Sequence, residues 1–141
     1  MYRLSSSQSA RQAVRLQNVD TRLVVGYAKT RTAFVAEHPN GPLPFVVEGH
    51  RTPQQQAGNY AQGRTTPGPI ITNKKPGQSL HELNPSRALD IGFLNDLGQP
   101  VWEEHNYKRF FELWKLHNPF IVWGGLWTDP HDPPHFQVEP R

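Results

Sequence analysis

Apolar residues recur at two different spacings along the chain. Val19, Leu23, Val24, Tyr27, Ala28 and Val35 fall near a helical repeat, so residues from about 9 to 37 read as two helices. Asp20 is placed to cap the second, and His38-Pro39-Asn40-Gly41-Pro42 stops it. Phe45-Val46-Val47 reads as a short strand closed by Glu48-Gly49-His50-Arg51. A third helix starts at Thr52-Pro53-Gln54-Gln55, with Thr52 as cap, Pro53 at the first helical position and Gln55 completing a capping box. It carries Gln56 and Tyr60 before Gly63 ends it. Residues 63–78 form a long Gly-, Pro- and Thr-rich loop with one strand candidate, Ile70-Ile71-Thr72. Loops of that length in compact domains are more often functional than idle. Residues 88–94 alternate as a strand, which puts Asp90 on a rigid element, and Asn95-Asp96-Leu97-Gly98 is a turn. His105 to Asn118 is the clearest helix, with Tyr107, Phe110, Phe111 and Trp114 on one face. Residues 120–123 and 135–138 read as closing strands. Helices flanking a small antiparallel sheet make the expected class α+β.

Composition narrows this little. The chain of 141 residues is expected to be one domain, residues 1–141, with N-terminal helices over about 9–37 and a catalytic part over about 45–139. Its 11 Gly and 14 Pro exceed average usage without reaching the range of disorder, so many loops are expected. With 0 Cys, disulfides, thiolate metal sites and a cysteine nucleophile are excluded together. A net charge of +3 is too small to argue for an anionic partner. The basic residues are scattered and accompany no nucleic-acid motif, so no nucleic-acid role is expected. No apolar stretch approaches membrane-span length. The N-terminal residues 1–9 lack the apolar core of a signal peptide, which predicts synthesis in the cytoplasm.

The candidate chemistry is spread over three segments. His81 follows Ser79-Leu80, Asp90 lies in Ala88-Leu89-Asp90-Ile91-Gly92, and His135 closes Asp132-Pro133-Pro134-His135-Phe136. Two imidazoles and one carboxylate suffice as the protein ligands of a catalytic zinc, with one coordination position left open. Asp132, three residues before His135, is then placed as general base and later as proton donor to a leaving amine. Arg51, between a strand and a helix, is placed to stabilise an oxyanion. Ser79 and Gln56 are candidates for polar contacts to a substrate, and Trp123-Gly124-Gly125-Leu126-Trp127 for part of a cleft wall. His38, His50, His105, His117 and His131 read as solvated or structural.

The order of these features resembles the D-Ala-D-Ala carboxypeptidase/L-alanyl-D-glutamate endopeptidase family of zinc enzymes, which includes many phage endolysins. The resemblance runs from about Val46 to Val138, through Gly49-His50-Arg51-Thr52, Gln56, Tyr60-Ala61-Gln62-Gly63-Arg64-Thr65, Pro67-Gly68 and Thr72-Asn73. It continues through Gly77, Ser79-Leu80-His81, Ala88-Leu89-Asp90-Ile91, Trp123-Gly124-Gly125 and Pro134-His135-Phe136, with a further likeness in residues 16–23. It implies a hedgehog/D-Ala-D-Ala peptidase-like fold, one zinc ion on His81, Asp90 and His135, Asp132 as acid/base and Arg51 as a substrate or transition-state contact. One departure stands out. Eight residues, Glu82 to Leu89, separate His81 from Asp90, and the glycine usual between them is absent. This reads as a two-residue insertion around Asn84-Pro85 in a loop, and it leaves Glu82 as a rival ligand.

Asp132-Pro133-Pro134-His135 is similar to the endopeptidase branch, which cuts between L-Ala and D-Glu of the peptidoglycan stem. The expected function is therefore a wall-lytic zinc endopeptidase of phage-endolysin type, working as a monomer on the stem peptide after release through a holin-type route. A D,D-carboxypeptidase or dipeptidase acting on D-Ala-D-Ala is the alternative within enzymes. An inactive module binding peptidoglycan or a protein is the alternative outside them.

Overall fold

The computed structural model describes residues 2–141. Two helices open the chain, α1 (Ser6–Arg15) and α2 (Thr21–Glu37). The first begins earlier than its apolar spacing suggests because Ser5 and Gln8 form a capping box. Ser5 Oγ accepts from the Gln8 amide at 3.1 Å, and Gln8 Oε1 accepts from the Ser5 amide at 2.7 Å. Asp20 caps α2 as expected, accepting from the Arg22 amide at 2.8 Å.

The remaining elements follow as β1 (Leu43–Glu48), α3 (Pro53–Ala61), β2 (Ala88–Leu94), β3 (Pro100–Val101), α4 (Glu104–Lys115), β4 (Val122–Trp123) and β5 (His135–Gln137). Single 3-10 turns stand at Leu80–Glu82 and Gly124–Leu126. Residues Ile70 to Thr72 are not a strand; Arg64 holds that loop instead, donating to the Thr72 carbonyl at 3.0 Å and to Asn73 Oδ1 at 3.2 Å. The strand expected at 120–123 is reduced to β4, with Phe120 83% exposed outside it. The short β3 carried no sequence signal of its own.

All the pairings are antiparallel. The sheet order is β1-β2-β5-β4, with β3 pairing the end of β2. Alternation along β2 divides its side chains. Leu89, Ile91 and Phe93 enter the apolar core with Leu23, Tyr27 and Phe34 of α2 and Tyr107, Phe110 and Trp114 of α4. Asp90 points the other way, and burial on its far side holds the register, because a one-residue slip would drive the carboxylate into that core. Each large core side chain contributes about 1.5–3 kcal/mol through burial. The α+β expectation therefore stands, and the site lies on the sheet face away from α2 and α4.

Candidate active site and metal centre

The site is built on a row of residues crossing three strands. Glu48 of β1 pairs with Asp90 of β2, and Asp90 pairs with His135 of β5. Directly opposed residues on one face bring their Cβ atoms within about 4.5–5.5 Å. His81 comes from the 3-10 turn, whose N-cap Ser79 accepts from the His81 amide at 3.2 Å. That turn is stitched to the segment after β1. The Arg51 amide donates to the His81 carbonyl at 2.8 Å, and the His81 ring donates from Nδ1 to the Gly49 carbonyl at 2.7 Å.

Among the described residues, His81, Asp90 and His135 form one group able to hold a metal ion, each offering an atom within 4.8 Å of the others. The ring hydrogen bonds select which nitrogens are free. His81 Nδ1 is committed to Gly49, so Nε2 faces Asp90 Oδ2 at 3.4 Å. His135 Nε2 donates to Gln137 Oε1 at 2.9 Å, which leaves Nδ1 facing Asp90 Oδ1 at 3.3 Å. Asp90 Oδ1 is buried with no hydrogen-bond partner. Such an orphaned oxygen between two unprotonated ring nitrogens fits a divalent cation, and nitrogen and oxygen donors in this number fit zinc. Gly49 and Gln137 then act as the outer partners that fix the ring orientations.

The electrostatics agree. Burial works against the charge on Asp90, but the two imidazoles, His135 foremost, hold its carboxyl well below the usual carboxylate range. Burial likewise works against a charged His81, and Asp90 outweighs it to raise the imidazole above its ordinary value. Burial raises the Asp132 carboxyl, and the nearby Asp90 charge adds to the shift.

Asp132 Oδ2 lies 4.0 Å from His135 Nδ1, beside the ligand cluster. Its loop is tightly held. The Asp132 amide donates to the Gly124 carbonyl at 3.0 Å, and the Trp123 indole donates to the Pro133 carbonyl at 2.7 Å. A Cβ on Gly124 would overlap the Asp132 carbonyl, so the close approach that this glycine permits is to the Asp132 loop. Of the stretch 123–127 expected to form part of the cleft wall, Trp127 lines the cleft, while Trp123 is buried in the core.

The cleft around the cluster has a volume of about 530 Å³. One wall is the stretch from Ile70 to Lys74 of the long loop. Trp127, Pro130, His131 and Asp132 supply another. Arg51 and Ser79 reach the cleft, whereas Gln56 does not. Gln56 is fully buried, with Oε1 accepting from Arg51 Nη1 and Nε2 donating to the Lys74 carbonyl at 2.6 Å. Its expected substrate contact is replaced by a bracing role. Glu48 takes the rest of the Arg51 guanidinium, accepting from Nε at 2.9 Å and from Nη2 at 2.5 Å. Burial works against the guanidinium charge, and Glu48 more than offsets it.

Glu82 is not a ligand. Its two carboxylate oxygens accept from the Gly77 amide at 2.8 Å and the Ser79 amide at 3.0 Å, completing the capping box that positions His81. The longer spacing after His81 is absorbed at Ser86, whose amide donates to the Asn18 carbonyl at 2.7 Å while its carbonyl accepts from the Asp20 amide at 2.8 Å.

Three residues of the cleft escaped the sequence reading. Glu48 and Lys74 carried no motif, although Glu48 stands three residues before Arg51. His131 had been set aside with the structural histidines. It lines the cleft and pairs with Glu104 of α4, and its Nδ1 lies 3.0 Å from the Trp127 carbonyl. The Glu104 pairing raises its pKa above the ordinary histidine value.

A family model described as D-alanyl-D-alanine carboxypeptidase matches residues 72–138, which include His81, Asp90, Asp132 and His135. The peptidoglycan L-alanyl-D-glutamate endopeptidase CwlK of Bacillus subtilis (strain 168) is 28% identical over 103 residues. That match covers 68% of this chain and 60% of the relative's length. The crystal structure of the Serratia marcescens L-Ala D-Glu endopeptidase ChiX superposes with a TM-score of 0.58 at 22% identity, covering 92% of this chain and 87% of that one. The same α+β fold and the ligand cluster inside the matched stretch agree with these likenesses, and the chain is similar to the D-Ala-D-Ala carboxypeptidase/L-alanyl-D-glutamate endopeptidase family of peptidases.

Proposed function

We propose that the protein is a zinc-dependent endopeptidase that hydrolyses the L-Ala–D-Glu bond of the peptidoglycan stem. The observation that carries this reading is the convergence of His81, Asp90 and His135 with Asp132 in one open cleft. The names of the two relatives, both L-Ala–D-Glu endopeptidases, support the choice of bond.

His81 Nε2, Asp90 and His135 Nδ1 would hold a zinc ion, which would supply a Lewis-acid centre for amide hydrolysis near neutral pH. Asp132 Oδ2 takes the proton of the attacking water and returns it to the leaving amine. Arg51 stabilises negative charge developing on the carbonyl oxygen, and its fixed pairing with Glu48 and Gln56 keeps it from reorganising at that moment.

The family model's own description favours a second reading, removal of the terminal D-Ala. A defined stem tetrapeptide separates the two. Release of L-Ala with a new D-Glu amino end supports the endopeptidase, and release of D-Ala supports the carboxypeptidase. We extend the first reading to a wall-lytic role of endolysin type. It predicts a fall in turbidity when the protein is added to cells whose outer barrier has been permeabilised, and unchanged turbidity would contradict it.

A further inference from the structure

Arg51 and Lys74 are the only arginine and lysine that line the cleft among the described residues, and the cleft's His131 is paired with Glu104. Arg51 is held in place by Glu48 and Gln56, with Nε, Nη1 and Nη2 all donating to them. At 8% exposed it can meet the carbonyl oxygen at one fixed place but cannot follow a second anionic group. Lys74 is exposed and has no carboxylate partner. Its backbone is nonetheless held on both sides by side-chain hydrogen bonds. Gln56 Nε2 holds its carbonyl at 2.6 Å, and its amide donates to Thr72 Oγ1 at 3.1 Å. Arg64, stacked 3.9 Å over the Tyr60 ring, anchors the preceding two residues. A mobile ammonium therefore stands on a rigid base at the cleft wall.

The remaining charges of the cleft make that ammonium useful. Glu48 is neutralised by Arg51, and Asp90 is matched by the two imidazoles or by the ion they hold. Asp132, which has only the long 4.0 Å contact to His135 Nδ1, and Lys74 are left as charges of opposite sign without a close partner. A substrate bearing a carboxylate near its scissile bond would be repelled by Asp132 unless a cation received it. In an L-Ala–D-Glu stem the carbon bonded to the scissile nitrogen carries such a free carboxylate, because the onward peptide link leaves through the side chain.

We infer that Lys74 is a specificity-determining residue, receiving the carboxylate on the carbon that bears the scissile nitrogen, so that stems amidated at this position are poor substrates. The inference rests on the endopeptidase reading above and deepens it. A lysine suits the task because its point charge on a flexible stem can follow a carboxylate without a fixed bidentate geometry.

The test pairs two peptides, L-Ala-γ-D-Glu-L-Lys and its D-isoglutamine counterpart, against the full-length zinc-loaded protein and its Lys74→Met and Lys74→Arg variants. The expected result is a kcat/KM preference for the free acid of at least about tenfold, the scale of a hydrogen bond to a charged group. It should reside in KM, shrink with added salt, fall to about one in Lys74→Met and be largely kept in Lys74→Arg. Calorimetric binding of the two uncleaved peptides to the Asp132→Asn protein should show the same ratio and the same loss when Lys74→Met is added. A Lys74→Met protein that keeps the full preference in both measurements overturns the inference while leaving the endopeptidase reading intact. Failure of the zinc-loaded parent to cut either peptide overturns both.

Discussion

Asp90 and His135 face each other across β2 and β5, with Asp90 Oδ1 3.3 Å from His135 Nδ1. Register on the sheet thus places a carboxylate and an imidazole side by side before any ion is involved. His81 completes the set from a separate turn, so the strands supply rigidity and the turn supplies the third direction of approach.

The orientation of His135 depends on Gln137 Oε1, held in turn by the Gln137 Nε2 contact to Glu139 at 3.1 Å. Gln137→Leu should lower zinc affinity by about 10–100-fold with the fold unchanged. Competition with a zinc-responsive chelator checks this, and an unaltered affinity would show that the ring is fixed by other means.

Asp132 lies outside the ligand group but beside it. Asp132→Asn should keep one zinc per chain while turnover falls by about 10²–10⁴-fold, the usual contribution of a positioned acid/base. Metal analysis and single-substrate kinetics on the same preparation separate this from loss of the ion.

Gln56, itself fully buried, braces two partners, the buried Arg51 guanidinium and the Lys74 carbonyl. Gln56→Leu removes both bonds and should cost about 1–3 kcal/mol of stability, the desolvation penalty of leaving such groups unpaired. Urea unfolding measures it, and a change below about 0.5 kcal/mol, the range of surface substitutions, would argue that the brace is dispensable.

Asp20 caps α2 and pairs with Arg22 at 3.0 Å. The Arg22 hydrogen bond holds its carboxyl below the ordinary value of 3.8. Because the folded pKa is the lower one, the stabilisation is complete above that ordinary value and is lost as pH falls through the depressed one. Asp20→Ala should cost about 1 kcal/mol at neutral pH and leave stability less sensitive to acid below pH of about 4. Equal losses at neutral pH and at low pH would contradict this.

How much of this was legible depended on how local each cause is. The strand carrying Asp90 and the helix opened by the Thr52–Gln55 capping box were readable because alternation and capping act within a few residues. The part played by Gln56 was not, since a buried amide looks the same in sequence as one facing a substrate. Glu48 was missed because its place beside Asp90 exists only through strand pairing. Ile70 and Ile71 have strand-forming side chains, but they are exposed and belong to no strand, and Arg64 holds the loop instead. The extra length after His81 looked like a threat to the site. Bonds from Ser86 to the residues just before α2 remove it, and those bonds span the chain too widely for local pattern to show them.

The central claim is a metal-dependent cut between L-Ala and D-Glu. Purified peptidoglycan would be incubated with the protein as prepared, after chelation and after zinc is restored, and the new ends identified by mass spectrometry. The account predicts L-Ala carboxyl and D-Glu amino ends that disappear on chelation and return with zinc. Cleavage that persists in zinc-free protein, or release of D-Ala alone, would contradict it.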